Sequence, residues 1–266
     1  MKSAPIGIFD SGFGGLTVMN AVKECMPNED IIYFGDTANL PYGNKSAEAI
    51  VNYTLKNTEF LMSLGIKLLI IACHSACSAS YDLLTNKLPI PVVGVVAPSV
   101  DCMKQQISEG NIALIGTRRT IQSNMYQKLI AEQIPTAKLI SIACPLFVPI
   151  VEEGYAKHSI ARAIVKEYLE PLKDKKIQAL LLGCTHYPLL SSHIQEEMGS
   201  STQLIDPAKG CAKEAKKILK QRGWLSDSTR NPSSTFYVSD DPEKFRSFGR
   251  HFFETPMEHV LAAPFS

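Results

Sequence analysis

The sequence predicts an α/β protein made of two pseudo-symmetric open-sheet halves, and three observations carry that prediction. Short apolar, β-branched runs alternate with longer stretches of helical period, the pattern of parallel strands joined by crossover helices. The runs are continuously apolar rather than alternating, which suits strands buried on both faces. Finally, Leu69-Ile70-Ile71-Ala72-Cys73-His74-Ser75 and Leu180-Leu181-Leu182-Gly183-Cys184-Thr185-His186 repeat one another, each placing a cysteine just past a strand. Two copies so far apart are no solenoid period; they point to two related α/β halves.

In chain order, residues 6–9 and 31–34 are the first predicted strands. Ser46 then supplies an N-cap, Ile50, Tyr53, Phe60, Leu61 and Leu64 recur at helical spacing, and Gly65 stops that helix before a strand over 66–72. Strands over 92–96, 112–115 and 139–142 follow. From Ser159, the residues Ile164, Val165, Tyr168 and Leu172 mark a helix that turns through the lysine-rich 173–176 into a strand over 179–182, with another over 203–205. Proline-bearing strand exits at Ala97-Pro98-Ser99 and Asp206-Pro207-Ala208 set the expected domain boundaries. Residues 1–97 plus 208–266 then form a first domain carrying Cys73, and 98–207 a second carrying Cys184. Past the polar 225–232, Thr235 to Val238 reads as a strand that returns the chain to the first half.

A chain of 266 residues suffices for two modest domains, and 45% hydrophobic with 20% charged residues is ordinary globular composition. Lys plus Arg number 27 against 26 Asp plus Glu, a net charge of +1 that suggests neither nucleic acid nor an anionic membrane as partner. The apolar runs fall far short of the roughly 20 residues that span a bilayer, and the N-terminal one is too short for a signal peptide, so a cytoplasmic setting is expected. Seven cysteines, an odd number without a secretion signal, predict free thiols. None has zinc-ribbon spacing, so no metal is expected.

A cysteine at the carboxyl end of a parallel strand, with a helix starting behind it, sits where open α/β sheets bind ligands and where the helix dipole favours a thiolate. Cys73 and Cys184 both answer this description, whereas Cys25, Cys77, Cys102 and Cys211 read as buried structural residues. Two thiols facing each other across a cleft suit removal of a proton from one face of a carbon and its return to the other, which is racemisation. A one-thiol hydrolase built on Cys184 and His186 is the weaker alternative. After the first strand, Asp10-Ser11-Gly12-Phe13-Gly14-Gly15 would let backbone N–H groups approach a carboxylate or phosphate, but its spacing is not that of a dinucleotide site, so no nucleotide cofactor is expected. Asp10 is either an N-cap or a charge acting on the nearby thiol. The polar loop over 35–43 follows a strand, as functional loops do. Thr117 and Thr120 offer hydroxyls to a carboxylate, N-capping being the other reading of Thr117. Glu152, taken alone, reads as surface, and His158, His193, His251 and His259 as surface or structural.

Three segments together resemble the glutamate racemase family: Phe9-Asp10-Ser11-Gly12-Phe13-Gly14-Gly15-Leu16-Thr17, Gly35-Asp36-Thr37 with Pro41-Tyr42-Gly43, and Gly183-Cys184-Thr185-His186-Tyr187-Pro188-Leu189. Ala143-Cys144-Pro145-Leu146-Phe147-Val148-Pro149 with Glu152, and Ile205-Asp206-Pro207, are similar to that family too. The resemblance implies two pseudo-symmetric α/β domains with the site in the cleft between them, usually as a homodimer. It implies cofactor-independent interconversion of L- and D-glutamate, which serves the bacterial cell wall. By the same resemblance Cys73 and Cys184 are the acid/base pair, Asp10 assists Cys73, and His186, with Glu152, assists Cys184. Ser11, Tyr42, Gly43, His74, Ser75, Thr117, Thr120 and Thr185 would then surround the substrate's carboxylates and ammonium.

One departure stands out, because the family usually has Asn-Thr-Ala after the first cysteine and this chain has His74-Ser75-Ala76. A neutral imidazole has a different reach from an amide and can become cationic near neutral pH, so a slow or acid-sensitive enzyme is expected. The competing readings are a racemase of aspartate or another acidic amino acid, and a catalytically weak member that binds an amino acid for regulation.

Overall fold

The strands predicted from continuous apolar runs are the frame of a computed structural model that describes residues 1–253 and 255–264. The first half runs β1 (Ile6–Asp10), α1 (Leu16–Cys25), β2 (Ile31–Gly35), α2 (Ala47–Ser63), β3 (Leu68–Ile71), α3 (His74–Lys87), β4 (Val92–Gly94) and α4 (Val96–Lys104). The second runs β5 (Gly110–Gly116), α5 (Arg118–Gln122), α6 (Met125–Gln133), β6 (Ala137–Ala143), α7 (Phe147–Glu152), α8 (Ser159–Leu169), β7 (Ile177–Gly183), α9 (Ser191–Met198) and β8 (Gln203–Ile205). Then α10 (Pro207–Gln221) leads back to β9 (Ser234–Val238), α11 (Pro242–Gly249) and β10 (Val260–Ala262).

Two parallel sheets result, ordered β10-β9-β2-β1-β3-β4 and β6-β5-β7-β8. The second sheet repeats the β2-β1-β3-β4 order of the first, so β5 answers β1 and β7 answers β3. Phe9 is level with Ile71 and Gly116 with Gly183, which brings Ser11 alongside Cys73 and Thr117 alongside Cys184 at the carboxyl ends of the strands. The strand residues Ile8, Phe9, Ile70, Leu114 and Leu181 have no exposed surface, as expected for sheets covered on both faces. No helix among the described residues is long and apolar enough to cross a membrane.

Local signals acted where they were expected to. Ser46 accepts the Ala49 N–H and caps α2, and Gly65 takes a φ of +73°, a conformation open to glycine and costly for other residues. His158 is structural, its Nδ1 accepting the Ile160 N–H at the start of α8. The strand over 235–238 is β9, which pairs with β2 in the first sheet.

Other expectations are corrected. The 66–72 run pairs only over Leu68–Ile71, because Ile66 packs over Gly7 and Lys67 turns inward. There Lys67 Nζ lies 2.6 Å from Glu29 Oε2 and donates to the carbonyls of Lys2 and Trp224, a buried ion pair tying four stretches of chain together. The 92–96 run ends at Gly94, and Ala97-Pro98-Ser99 is the first turn of α4 rather than a strand exit. Proline fits there because N–H groups of a first turn have no partner within the helix. The boundary drawn after residue 97 therefore falls inside α4. Asp206 does end a strand, and it also caps α10 by accepting the Ala208 N–H ahead of Pro207. Cys77 and Cys211 are buried as expected, whereas Cys25 and Cys102 are partly exposed.

Candidate active site

Between the carboxyl ends of the two sheets lies a cavity lined from the first half by Ser11, Tyr42, Gly43, Cys73, His74 and Ser75. The second half contributes Thr117, Glu152, Cys184, Thr185 and His186. At about 20 Å³ it has room for roughly one water molecule, so its walls must part to admit an amino acid. Against it opens a wider vestibule of about 460 Å³, which shares Gly43, Thr117 and Glu152 and adds Asn44, Arg118 and Leu146. Asp10 and Thr120 stand behind the cavity wall rather than in it.

Cys73 caps α3. Its Sγ accepts the Ala76 N–H at 3.5 Å and lies 3.4 Å from Ser11 Oγ. Burial above all, together with the Asp10 charge, pushes this thiol up to about 12, against the hydrogen bonds of Ser11 and Ala76. The thiolate expected from the helix dipole is thus outweighed by desolvation, and Cys73 rests as a thiol. Asp10 is fully buried beside it and accepts the Gly12 N–H at 2.9 Å. Burial raises its carboxyl above the usual range, with the His186 charge opposing.

This corrects one further expectation. Asp10 is no N-cap, since Gly15 begins α1 without a side-chain bond. The Gly12 N–H of the glycine loop is taken by the Asp10 carboxyl, and the glycines also permit close approach of neighbouring groups. A Cβ on Gly15 would lie 2.5 Å from that of Asp10, and one on Gly14 would lie 2.2 Å from Thr185 Oγ1.

On the opposite wall His186 faces Cys184 Sγ with Nδ1 at 3.8 Å and Glu152 Oε1 with Nε2 at 3.0 Å. Burial pulls the imidazolium down, but the hydrogen bonds and charges of Cys184 and Glu152 outweigh it and His186 is pushed up to about 10. Glu152, 16% exposed at its side chain, is drawn from the surface into this relay.

Polar contacts cross between the halves. Ser75 Oγ lies 2.9 Å from Thr117 Oγ1, which lies 3.0 Å from Thr120 Oγ1 and also accepts the Thr120 N–H. Thr117 therefore caps α5 and faces the cavity at once. Thr185 Oγ1 donates to Asp10 Oδ1 at 3.5 Å, and a Cβ on Gly43 would lie 2.7 Å from that of Thr117. Tyr42 donates to the buried Asp36 carboxylate, which also accepts from Ser239 Oγ at 2.7 Å and Asn57 Nδ2 at 3.2 Å. Burial, then the Asp36 charge, drives the Tyr42 phenol well above its ordinary range. Asn57 and Ser239 carried no signal in the sequence, since each meets Asp36 only through the fold.

His74 is 2% exposed, neither ring nitrogen has a hydrogen-bond partner, and its ring stacks on Tyr126 with centroids 6.1 Å apart. Burial pushes it down to about 3, so it is neutral throughout the physiological range and supplies no acid-sensitive charge. The pH profile of a His74→Asn variant, followed by steady-state kinetics between roughly pH 5 and 8, is expected to keep the parent's acid limb. A shifted acid limb would show that His74 titrates there after all.

A model of the Asp/Glu/Hydantoin racemase family matches residues 11–215. The glutamate racemase of Chlorobaculum tepidum is 43% identical over 260 residues, covering 97% of this chain and 96% of the relative. The crystal structure of a glutamate racemase isoform from Bacillus anthracis superposes with a TM-score of 0.95 at 35% identity, covering 100% of both chains. That from Francisella tularensis, solved in complex with D-glutamate, gives 0.92 at 38% identity over 99% of this chain and 98% of its own. Aspartate racemase of Picrophilus torridus, with 17% identity and a TM-score of 0.59 over 83% of this chain and 95% of its own, shares the fold.

Proposed function

The chain belongs to the Asp/Glu/Hydantoin racemase family, and from that premise we propose that it interconverts L- and D-glutamate by a two-thiol acid/base mechanism, supplying D-glutamate for peptidoglycan. The observation that supports this most is that Cys73 and Cys184, at equivalent places past β3 and β7, line one cavity from two walls. One thiolate takes the α-proton from one face while the opposing thiol donates to the other, which inverts the carbon. Asp10 holds charge beside Cys73, and Glu152 orients His186 for proton transfer at Cys184. A substrate ammonium arriving beside Cys73 supplies the positive charge that favours its thiolate. Ser11, Tyr42, Gly43, His74, Ser75, Thr117 and Thr185 surround the substrate, with Thr120 behind Thr117.

This reading takes the halves as domains, 1–97 plus 208–266 and 98–207 save that these cuts fall within the first turns of α4 and α10, supported by the strands of each sheet falling within one of them. It extends to a homodimer in the cytoplasm, supported by the family resemblance; light scattering tests the oligomer.

Circular dichroism of the protein with L-glutamate and no added cofactor is expected to decay to zero, and to stay flat with L-aspartate. A flat trace with both would favour an amino-acid-binding member. In deuterated water, early product should carry deuterium at the α-carbon while recovered substrate carries little. Equal early labelling would point to a single base.

A further inference from the structure

The ring of His186 is held from the opposite half of the molecule. Its nitrogens are engaged within its own half, Nδ1 by Cys184 and Nε2 by Glu152. Two further contacts come from the half built on the first sheet. Phe252 lies against the imidazole with centroids 5.3 Å apart and planes at 82°, and Gly14 backs one edge so closely that a Cβ there would lie 2.5 Å from Nδ1. Phe252 is itself anchored: its N–H donates to the Gly249 carbonyl at 2.9 Å, its own carbonyl accepts from Asn20 Nδ2 at 2.7 Å, and its ring stacks on Phe13 at 6.3 Å. Phe13, in the loop after β1, stacks in turn on Phe245 of α11 at 5.3 Å.

We propose that Phe252 is a positioning residue for the racemisation: it fixes the rotation of the His186 ring so that Nδ1 meets Cys184 and Nε2 meets Glu152. The C-terminal segment thereby controls proton transfer on the wall opposite its own half. This rests on the racemase reading given above. The terminal torsion of histidine is soft, so two hydrogen bonds leave the ring room to swing unless a wall bounds it. A displacement near 1 Å in such a relay costs on the order of 100-fold in rate. The titratable groups facing His186 among the described residues are Cys184, Glu152 and Asp10, while the C-terminal segment presents the neutral Phe252 ring. Because Cys184 and Glu152 hold the imidazolium above its ordinary value, loosening the ring returns it downward.

The test is steady-state racemisation of glutamate by the full chain and its Phe252→Leu and Phe252→Tyr variants, from neutral to strongly alkaline pH. Phe252→Leu is expected to lower kcat by roughly 10- to 100-fold with KM within about twofold, and to move the alkaline limb to lower pH. Phe252→Tyr should restore most of both. A Phe252→Leu variant with the parent's kcat and limb would overturn the proposal. So would a loss of equal factor at every pH, which reports fewer folded molecules rather than a misplaced ring, or a Phe252→Tyr variant as poor as Phe252→Leu. An unsubstituted chain that does not racemise glutamate would instead remove the racemase reading, before any variant is compared.

Discussion

Replacing either thiol by a hydroxyl is expected to abolish racemisation, with Cys73→Ser and Cys184→Ser each losing about 10²- to 10⁴-fold or more. A hydroxyl is far less acidic than a thiol, so serine neither forms the base nor serves as the matched acid. The loss should be asymmetric in one respect. A chain with one thiol left can still take an α-proton and return a deuteron to the same face. Each variant in deuterated water should therefore label one enantiomer without racemising it, and the two variants should label opposite enantiomers. Proton NMR of recovered glutamate checks this. Near-native turnover in either variant would remove that residue from the mechanism.

The second large effect concerns stability. Lys67→Met is expected to lower the unfolding free energy by about 3–5 kcal/mol, because it leaves the Glu29 carboxylate buried without its counter-charge. The Lys67→Met, Glu29→Leu double variant should recover much of that loss, since exchanging both charges for apolar side chains removes the desolvation cost along with the attraction. Urea unfolding midpoints measure both. A single variant no worse than the double would mean that the pair is not isolated from water. Lys67 immediately precedes β3, and Cys73 follows the strand's far end, so this pair anchors the strand that leads to the thiol.

How far the sequence could be read depends on the reach of each interaction. Ser46, Gly65 and the continuous apolar runs announce themselves because capping, φ preference and double-sided burial are properties of a residue and its near neighbours. The segment after β9 was harder: α11 is short, and β10 exists by pairing with β9, so neither was foreseen. The strand end at Leu68 was missed for a related reason, since Lys67 turns inward to partners remote in the chain, while at Gly94 the apolar run continues through Val95 and Val96 into α4.

By itself the sequence determined the alternation of parallel strands with helices, the matched cysteines of the two halves, and the motifs that mark the family. These follow from local propensity and a repeated pattern, which survive in one dimension. Only the tertiary structure decided the protonation of the site. Cys73 rests as a thiol, His186 is held cationic and His74 neutral because burial and opposite charges act through space. The same holds for the contacts along the cavity walls, Glu152 with His186, Tyr42 with Asp36 and Phe252 against the imidazole ring. Desolvation and Coulomb energy depend on where a group sits and on what surrounds it, and a chain acquires those surroundings only when its two halves close on each other.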